Sequence, residues 1–305
     1  MRWLEVTLVV EREQADDVAA ALMPYSDGGI ALSSSQIEDT PGQGIPAGPM
    51  IVHAYLSADD ELHARRERIE HALHYLGRIR ALPEPTYRWI EEEDWQHKWK
   101  QRYHPITIGE RLIIVPAWDS SPDPARIPIF INPGMAFGTG AHPTTRLCLL
   151  ALETILTGEE RIADLGSGSG ILSIAARKLG AAQVHGWDVD KQTVSIAREN
   201  ASKNGVDNVR FDAGSLGDLL QSPHAPFDVV IANIFAHVLT TMLDQEGLSQ
   251  SCRPGGYLIL SGILEEQLPP ILTLAESRGC TIVEVLTDSD WTAVILQKEE
   301  GTASR

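Results

Sequence analysis

Cysteine is scarce. Cys148, Cys252 and Cys280 are far apart and odd in number in a chain of 305 residues. That excludes a disulfide framework, supports no zinc site, and leads us to expect no metal. It fits a reducing, cytoplasmic setting. Positive charge is also in deficit, with 25 Lys and Arg against 42 Asp and Glu and a formal net charge of −17. Most of such a surface repels a phosphate backbone, because nucleic-acid affinity comes largely from Lys and Arg replacing counterions. It attracts a basic protein partner, or serves only to keep the chain soluble. Long apolar runs are missing too: none approaches the roughly 18–20 residues that cross a bilayer, so no membrane association is expected. The opening stretch MRWLEVTLVVERE has no small-residue cleavage site and reads as a strand rather than a signal peptide. Internal repeats and low-complexity tracts are absent, apart from a tail at Glu299–Arg305 with the composition of a disordered segment.

What is present is an ordinary globular composition, 43% hydrophobic and 22% charged, in a length that suits about two domains. Leu4, Val6, Leu8 and Val10 alternate as in a half-buried strand. A helical stretch follows at Asp16–Met23 and stops at Gly28-Gly29. Strands are expected at Ile30–Ile37, Met50–Ser57 and Thr86–Ile90, with a long helix at Glu61–Arg80 closed by Pro83 and Pro85. The Gly- and Pro-rich Asp39–Pro49 reads as a loop. The order β-α-β-β-α-β is the ferredoxin-like arrangement, placing a small α+β domain at residues 1–93. In residues 94–104, Trp95, Trp99 and Tyr103 recur every fourth residue on one helical face. This reads as a connecting helix; a substrate platform is the alternative.

After Pro105 the pattern changes. Ile106–Ile108 and Arg111–Pro116 form a hairpin around Gly109-Glu110. Strands at Ile162–Leu165, Gln183–Asp188, Asn208–Phe211, Asp228–Ala232 and Tyr257–Ser261 then alternate with helices such as Ile171–Leu179 and Lys191–Asn204. Such alternation implies a parallel sheet covered on both faces. Thr281–Leu286 and Trp291–Lys298 are close enough in sequence to pair antiparallel. An α/β, Rossmann-like sheet finished by an antiparallel hairpin is the layout of class I methyltransferases, here over residues 105–298, with 299–305 as a tail.

Asp164-Leu-Gly-Ser-Gly-Ser-Gly170 runs from a strand into a helix. Gly166, Gly168 and Gly170 let a ligand approach the backbone, and the helix amides can meet a carboxylate. The dinucleotide fingerprint G-x-G-x-x-G is broken, since Ile171 stands where its third glycine belongs. The G-x-G-x-G form with Asp164 before it fits S-adenosylmethionine better. Asp188 ends the next strand, about 20 residues on, where an acidic side chain can accept from ribose hydroxyls; a helix cap is the alternative. Asp212 could meet adenine or be a turn aspartate. Asn233 ends an apolar strand on the side of an α/β sheet where ligands bind. Its side-chain oxygen can accept from an amine and aim the lone pair, so orientation can supply much of the rate. Many amino-methyltransferases carry N-P-P-Y here, whereas this chain has Asn233-Ile234-Phe235. An upstream loop, Asn132–Arg146, holds Phe137, Gly138 and Thr139 as further candidate cofactor contacts, since such loops can fold over a ligand. His142 lies in it and invites a general-base role, since an imidazole in general titrates near neutral pH, but a single histidine without a visible partner is more often structural than catalytic.

Together these residues resemble the bacterial ribosomal protein L11 methyltransferases. The resemblance rests on DWQHKWKQRYHPITIGERLIIVPAW, NPGMAFGTGAHPTTRLCLLALE, ADLGSGSGILSIAARKLGA, and VVIANIF with LSGILEEQ downstream; the final Asp290-Trp291-Thr-Ala-Val matches as well. It covers most of residues 89–298, and the amino-terminal domain matches loosely. The resemblance implies a ferredoxin-like substrate-recognition domain, a mobile connecting helix, and methylation of lysine side chains and an amino-terminal amine of the L11 protein. It also implies cofactor contacts at Thr145, Gly166, Asp188 and Asn233. Nothing requires more than a monomer. Two other classes stand beside this reading: a nucleic-acid or small-molecule methyltransferase on the same fold, and a non-catalytic binding protein assisting ribosome assembly.

Overall fold

The computed structural model describes residues 2–26, 29–38, 45–78, 80–91, 104–132 and 138–300. The expected aromatic row Trp95, Trp99 and Tyr103, and with it nearly all of the connecting helix, lies outside the described residues, as do Phe137 and most of the tail. The chain divides into two compact units, Met1–His104 and Pro105–Arg305.

The first unit runs β1 (Arg2–Val10), α1 (Arg12–Leu22), β2 (Ile30–Glu38), β3 (Ile45–Ser57), α2 (Leu62–Gly77) and β4 (Thr86–Glu91). Its sheet has the order β2-β3-β1-β4, and every neighbouring pair is antiparallel. The alternation of Leu4, Val6, Leu8 and Val10 sends all four to one face. There they share a core with Val18 and Leu22 of α1 and Ile69 and Leu73 of α2. A capping box between Glu11 and Gln14 starts α1. One expectation is corrected: β3 begins at Ile45, inside the stretch read as a loop. From Ile45 to Ala47 it pairs with β2, while the ladder with β1 stops at Met50. The outer part of β3 thus has a strand on one side, where prolines such as Pro46 and Pro49 are tolerated.

The second unit opens with the expected hairpin, β5 (Ile106–Ile108) and β6 (Leu112–Pro116). A strand missing from the sequence reading, β7 (Ile127–Ile131), pairs parallel with β6. It sits in a proline-rich stretch, where Pro128 argues against a strand. Asn204 engages its backbone: Phe130 N donates to Asn204 Oδ1 at 2.8 Å, and Asn204 Nδ2 donates to Phe130 O at 2.6 Å.

Next come α3 (Pro143–Ile155), β8 (Arg161–Leu165), α4 (Ile171–Leu179), β9 (Gln183–Asp188), α5 (Lys191–Lys203) and β10 (Val209–Ala213). They are followed by α6 (Leu216–Leu220), β11 (Phe227–Asn233), α7 (Ala236–Thr241), β12 (Cys252–Leu264), α8 (Leu268–Ser277), β13 (Cys280–Asp288) and β14 (Trp291–Lys298). They build a seven-stranded sheet of order β10-β9-β8-β11-β12-β14-β13. The first five strands in that order are mutually parallel, and β14 is antiparallel to both β12 and β13. The last hairpin therefore inserts its second strand next to β12. Both faces are buried: Ile162, Val229, Ile231 and Ile259 join one core, and Ala163, Leu165, Val230, Ala232 and Leu260 join the other. Near-continuous apolar strands are what burial on both faces requires. The order reverses between β8 and β11, and a crevice at the carboxyl ends of strands flanking such a reversal is where open α/β sheets bind ligands.

Candidate active site

Beyond Leu165 the chain turns sharply. Gly166 N and Ser167 N both donate to Trp187 O, at 2.8 and 3.0 Å, so the turn is tied to the end of β9. Gly166, Gly168 and Gly170 all have positive φ, at 73°, 53° and 79°. At Gly166 and Gly170 the absence of a side chain also matters for space. A Cβ on Gly166 would stand 2.5 Å from Ile234 Cγ2, and one on Gly170 would stand 2.8 Å from the ring of Phe211.

Asp188 closes the loop from the side. Its Oδ2 accepts from Gly168 N and its Oδ1 from Asp190 N, each at 3.0 Å. Its backbone carbonyl accepts from Gly214 N at 2.9 Å. The helix cap before α5 is Asp190, which accepts from Gln192 N. Asp188 thus joins the glycine loop, the start of α5 and the loop after β10.

Asp164 lies on the buried face of β8 and is fully enclosed. Its Oδ2 accepts from Ser173 N at 3.1 Å and Ser173 Oγ at 2.6 Å. Burial pushes its carboxyl up to about 6 against those two hydrogen bonds, helped by the negative charge of Asp188. Its Oδ1 has no hydrogen-bond partner among the described residues; nor do the buried Thr145 Oγ1 and Ser167 Oγ. Native interiors leave few polar atoms unpaired, so these three are candidates for a polar ligand's partners.

The upstream loop reaches the same place. Ser169 Oγ donates to Gly138 O at 2.6 Å, so two glycine-rich segments far apart in sequence meet, with Thr139 next in the chain. Thr145 stands in the first turn of α3. Ser261 Oγ is 3.5 Å from Thr144 O, and Ser261 is the register partner of Asn233 across β12 and β11. Asn233 is the last residue of β11 and is half-buried, and its side chain makes no hydrogen bond among the described residues.

His142 caps α3, accepting from Thr144 N at 3.2 Å through Nδ1, and meets Trp291 edge-to-face at 4.9 Å. Asp212 is corrected. It lies within β10 rather than in a turn, and its carboxylate is held by His185 Nε2 at 2.9 Å and by Arg210. Both of these contacts fall on Oδ2, while Oδ1 has only Arg198 Nη2 at 3.5 Å.

The profile of the family described as Ribosomal protein L11 methyltransferase (PrmA) matches residues 2–299. The chain belongs to this family. A ribosomal protein L11 methyltransferase of Geobacter metallireducens is 38% identical over 306 residues, covering 97% of this chain and 98% of the relative. That of Chloroflexus aurantiacus is 36% identical over 325 residues, with 98% of each covered. The crystal structure of a ribosomal protein L11 methylase from Lactobacillus delbrueckii subsp. bulgaricus superposes with a TM-score of 0.59 at 33% identity, covering 65% of this chain and all of that one.

A member of this family is a methyltransferase with the class I fold and S-adenosylmethionine as its methyl donor. The residues present fit that cofactor. A methionyl ammonium needs anionic or neutral acceptors; Asp164 leads into the loop, and its buried Oδ1, like the buried Thr145 Oγ1 in the first turn of α3, has no partner among the described residues. Sequence reasoning missed Ser173, Ser169, Trp187 and Ser261, whose roles come from packing across elements. The LSGILEEQ block, noticed for its likeness to the family, was the one signal pointing at Ser261.

Proposed function

We propose that this protein transfers methyl groups from S-adenosylmethionine to lysine side-chain and amino-terminal amines of ribosomal protein L11, with Asn233 as the catalytic residue. The observation that carries the reading is the position of Asn233. A side chain with no partner among the described residues ends β11, beside Ser261 and the strand that leads into the glycine loop.

Gly166, Gly168, Gly170, Asp164, Asp188, Thr145 and Asn233 would hold the cofactor, with Gly138 and Thr139 covering it. Asp188 has lone pairs beyond the two amides it already accepts, and these suit ribose hydroxyls. Asp164 and Thr145 suit the methionyl end. When bound, S-adenosylmethionine supplies a methyl carbon made electrophilic by its sulfonium sulfur. Asn233 Oδ1 would accept an N–H of the acceptor amine, leaving the lone pair free and aimed. An amide does this without holding a proton in competition with the amine, which must arrive neutral. Alignment and close approach then lower the barrier.

The net charge of −17 supports a basic protein as acceptor over a nucleic acid. The amino-terminal ferredoxin-like domain, residues 1–93, would recognise it, linked through residues 94–104 to the transferase domain at 105–298. Among the described residues no helix is long and apolar enough to cross a membrane. We read the protein as a cytoplasmic monomer that reaches L11 without binding nucleic acid itself.

The test is incubation of the pure protein with labelled S-adenosylmethionine and unmodified ribosomal proteins, resolved by mass. Stepwise methyl gains on L11 are expected. Label on nucleic acid but not on L11 would overturn the substrate, and cofactor binding without any transfer would overturn the activity.

A further inference from the structure

Ile234 is held from two sides by glycines that are 96 positions apart in the sequence. Below it, Gly262 has φ +85°, and a Cβ built there would stand 2.2 Å from Ile234 O and 2.8 Å from Ile234 C. These are backbone atoms and cannot swing aside. The close approach goes with an irregularity in β12: its pairing with β14 shifts register between Ser261 and Ile263. Just before it, Ile234 N donates to Ser261 O at 3.2 Å. Above it, Ile234 Cγ2 lies so near Gly166 that a Cβ there would be 2.5 Å away.

From this geometry we infer that Ile234 is a positioning residue for methyl transfer, a wedge between Gly262 and Gly166 that fixes Asn233 relative to the glycine loop. Its backbone is pinned on β12, and its γ-methyl bears on the first glycine of the loop. Asn233, one residue earlier, is therefore indexed to the same peptide that turns the loop. The wedge needs a branched Cβ: the contact belongs to Cγ2, which valine keeps and leucine lacks. This gives a physical sense to Asn233-Ile234 where many amino-methyltransferases carry Asn-Pro. A ring at that position would have no N–H for Ser261 O, whereas isoleucine keeps that bond and adds a methyl toward Gly166. A misplacement of about 1 Å at a reacting group can cost about 100-fold in rate, so a contact this local has leverage.

The inference rests on the proposed role of Asn233, and the test separates the two. Ile234→Leu, Ile234→Val and Gly262→Ala are compared with wild type in two measurements: calorimetric binding of S-adenosylhomocysteine, and single-turnover methylation of unmodified L11. With the wedge acting as described, Ile234→Leu weakens binding at least about threefold and slows transfer about tenfold, whereas Ile234→Val stays within about twofold in both. Gly262→Ala follows the leucine variant. Equal behaviour of the leucine and valine variants overturns the wedge, even if Gly262→Ala fails to fold. Should wild type fail to methylate L11, the proposed substrate falls, and the binding comparison between leucine and valine still decides the wedge.

Discussion

Asp188 Oδ2 accepts the amide of Gly168 at 3.0 Å, so the acidic residue at the end of β9 and the middle glycine of the β8–α4 loop form one unit. The other oxygen holds Asp190 N at the same distance. Asparagine offers one oxygen and cannot serve both amides. Asp188→Asn should therefore loosen the loop as well as weaken ribose binding. With each lost hydrogen bond worth about 1 kcal/mol, we expect at least a tenfold rise in the cofactor dissociation constant. Calorimetry checks this, and an unchanged constant would remove Asp188 from the site.

Asn233 sets a different expectation. Because its side chain makes no hydrogen bond among the described residues, Asn233→Ala should keep the melting temperature of the cofactor-free protein. Loss of a single aligning group of this kind costs about 100-fold or more in kcat. Asn233→Asp is more telling. Its shape is nearly the same, but its negative charge would stabilise the protonated amine and move the rise of the pH–rate profile to higher pH. Rapid-quench measurement of the single-turnover rate on L11 reads both effects. Full activity of the alanine variant would rule out the role.

Much of this was legible in the sequence, and the parts that were not share one cause. Period-two alternation at Leu4–Val10 and apolar strands such as Phe227–Ala232 are local signals, and they gave elements within a few residues of those observed. The glycine loop carried its own turn chemistry. The insertion of β14 beside β12, the strand β7 with its Pro128, and the capture of Asp212 by His185 and Arg210 depend on which elements become neighbours. The same holds for Ser173 on Asp164 and Gly262 on Ile234. Neither a serine in a helix nor a glycine after a strand announces its partner dozens of residues away.

Asp164 predicts a pH dependence of stability. Burial raises its carboxyl to about 6 in the folded chain, against about 3.9 for a free aspartate. A raised value means that the folded state holds this proton more tightly than the unfolded state does. The associated stability is complete below about pH 4 and is lost as pH rises through about 6, an amount of about 3 kcal/mol. Other carboxylates, such as Asp228, are shifted down and pull the other way, so the comparison must be differential. Asp164→Asn should gain stability relative to wild type between about pH 4 and 7 in the absence of cofactor. It should also lose part of the stabilisation that cofactor confers. Melting curves with and without S-adenosylhomocysteine test both; parallel pH profiles for the two proteins would show that this carboxyl is not perturbed.

His142 tests the chemistry from the opposite side. Its Nδ1 accepts from Thr144 N and lies 2.7 Å from Thr144 Oγ1, so its lone pair is occupied at the start of α3. A general base needs that lone pair, or the other nitrogen, within reach of the amine's proton. As a cap it can be replaced by serine, whose hydroxyl accepts from the same amide, but not by alanine. We therefore expect His142→Ala to lose about 1 kcal/mol of stability and His142→Ser to lose less. Loss of the edge-to-face contact with Trp291 adds a common penalty to both. Neither variant should change the shape of the pH–rate profile, since the proton that matters is the one the amine gives up on its way from a pKa of about 10.4. In wild type the single-turnover rate should climb with pH through the mildly alkaline range. If that climb disappears in His142→Ala while binding of S-adenosylhomocysteine is intact, the imidazole is the base and the alignment mechanism is incomplete.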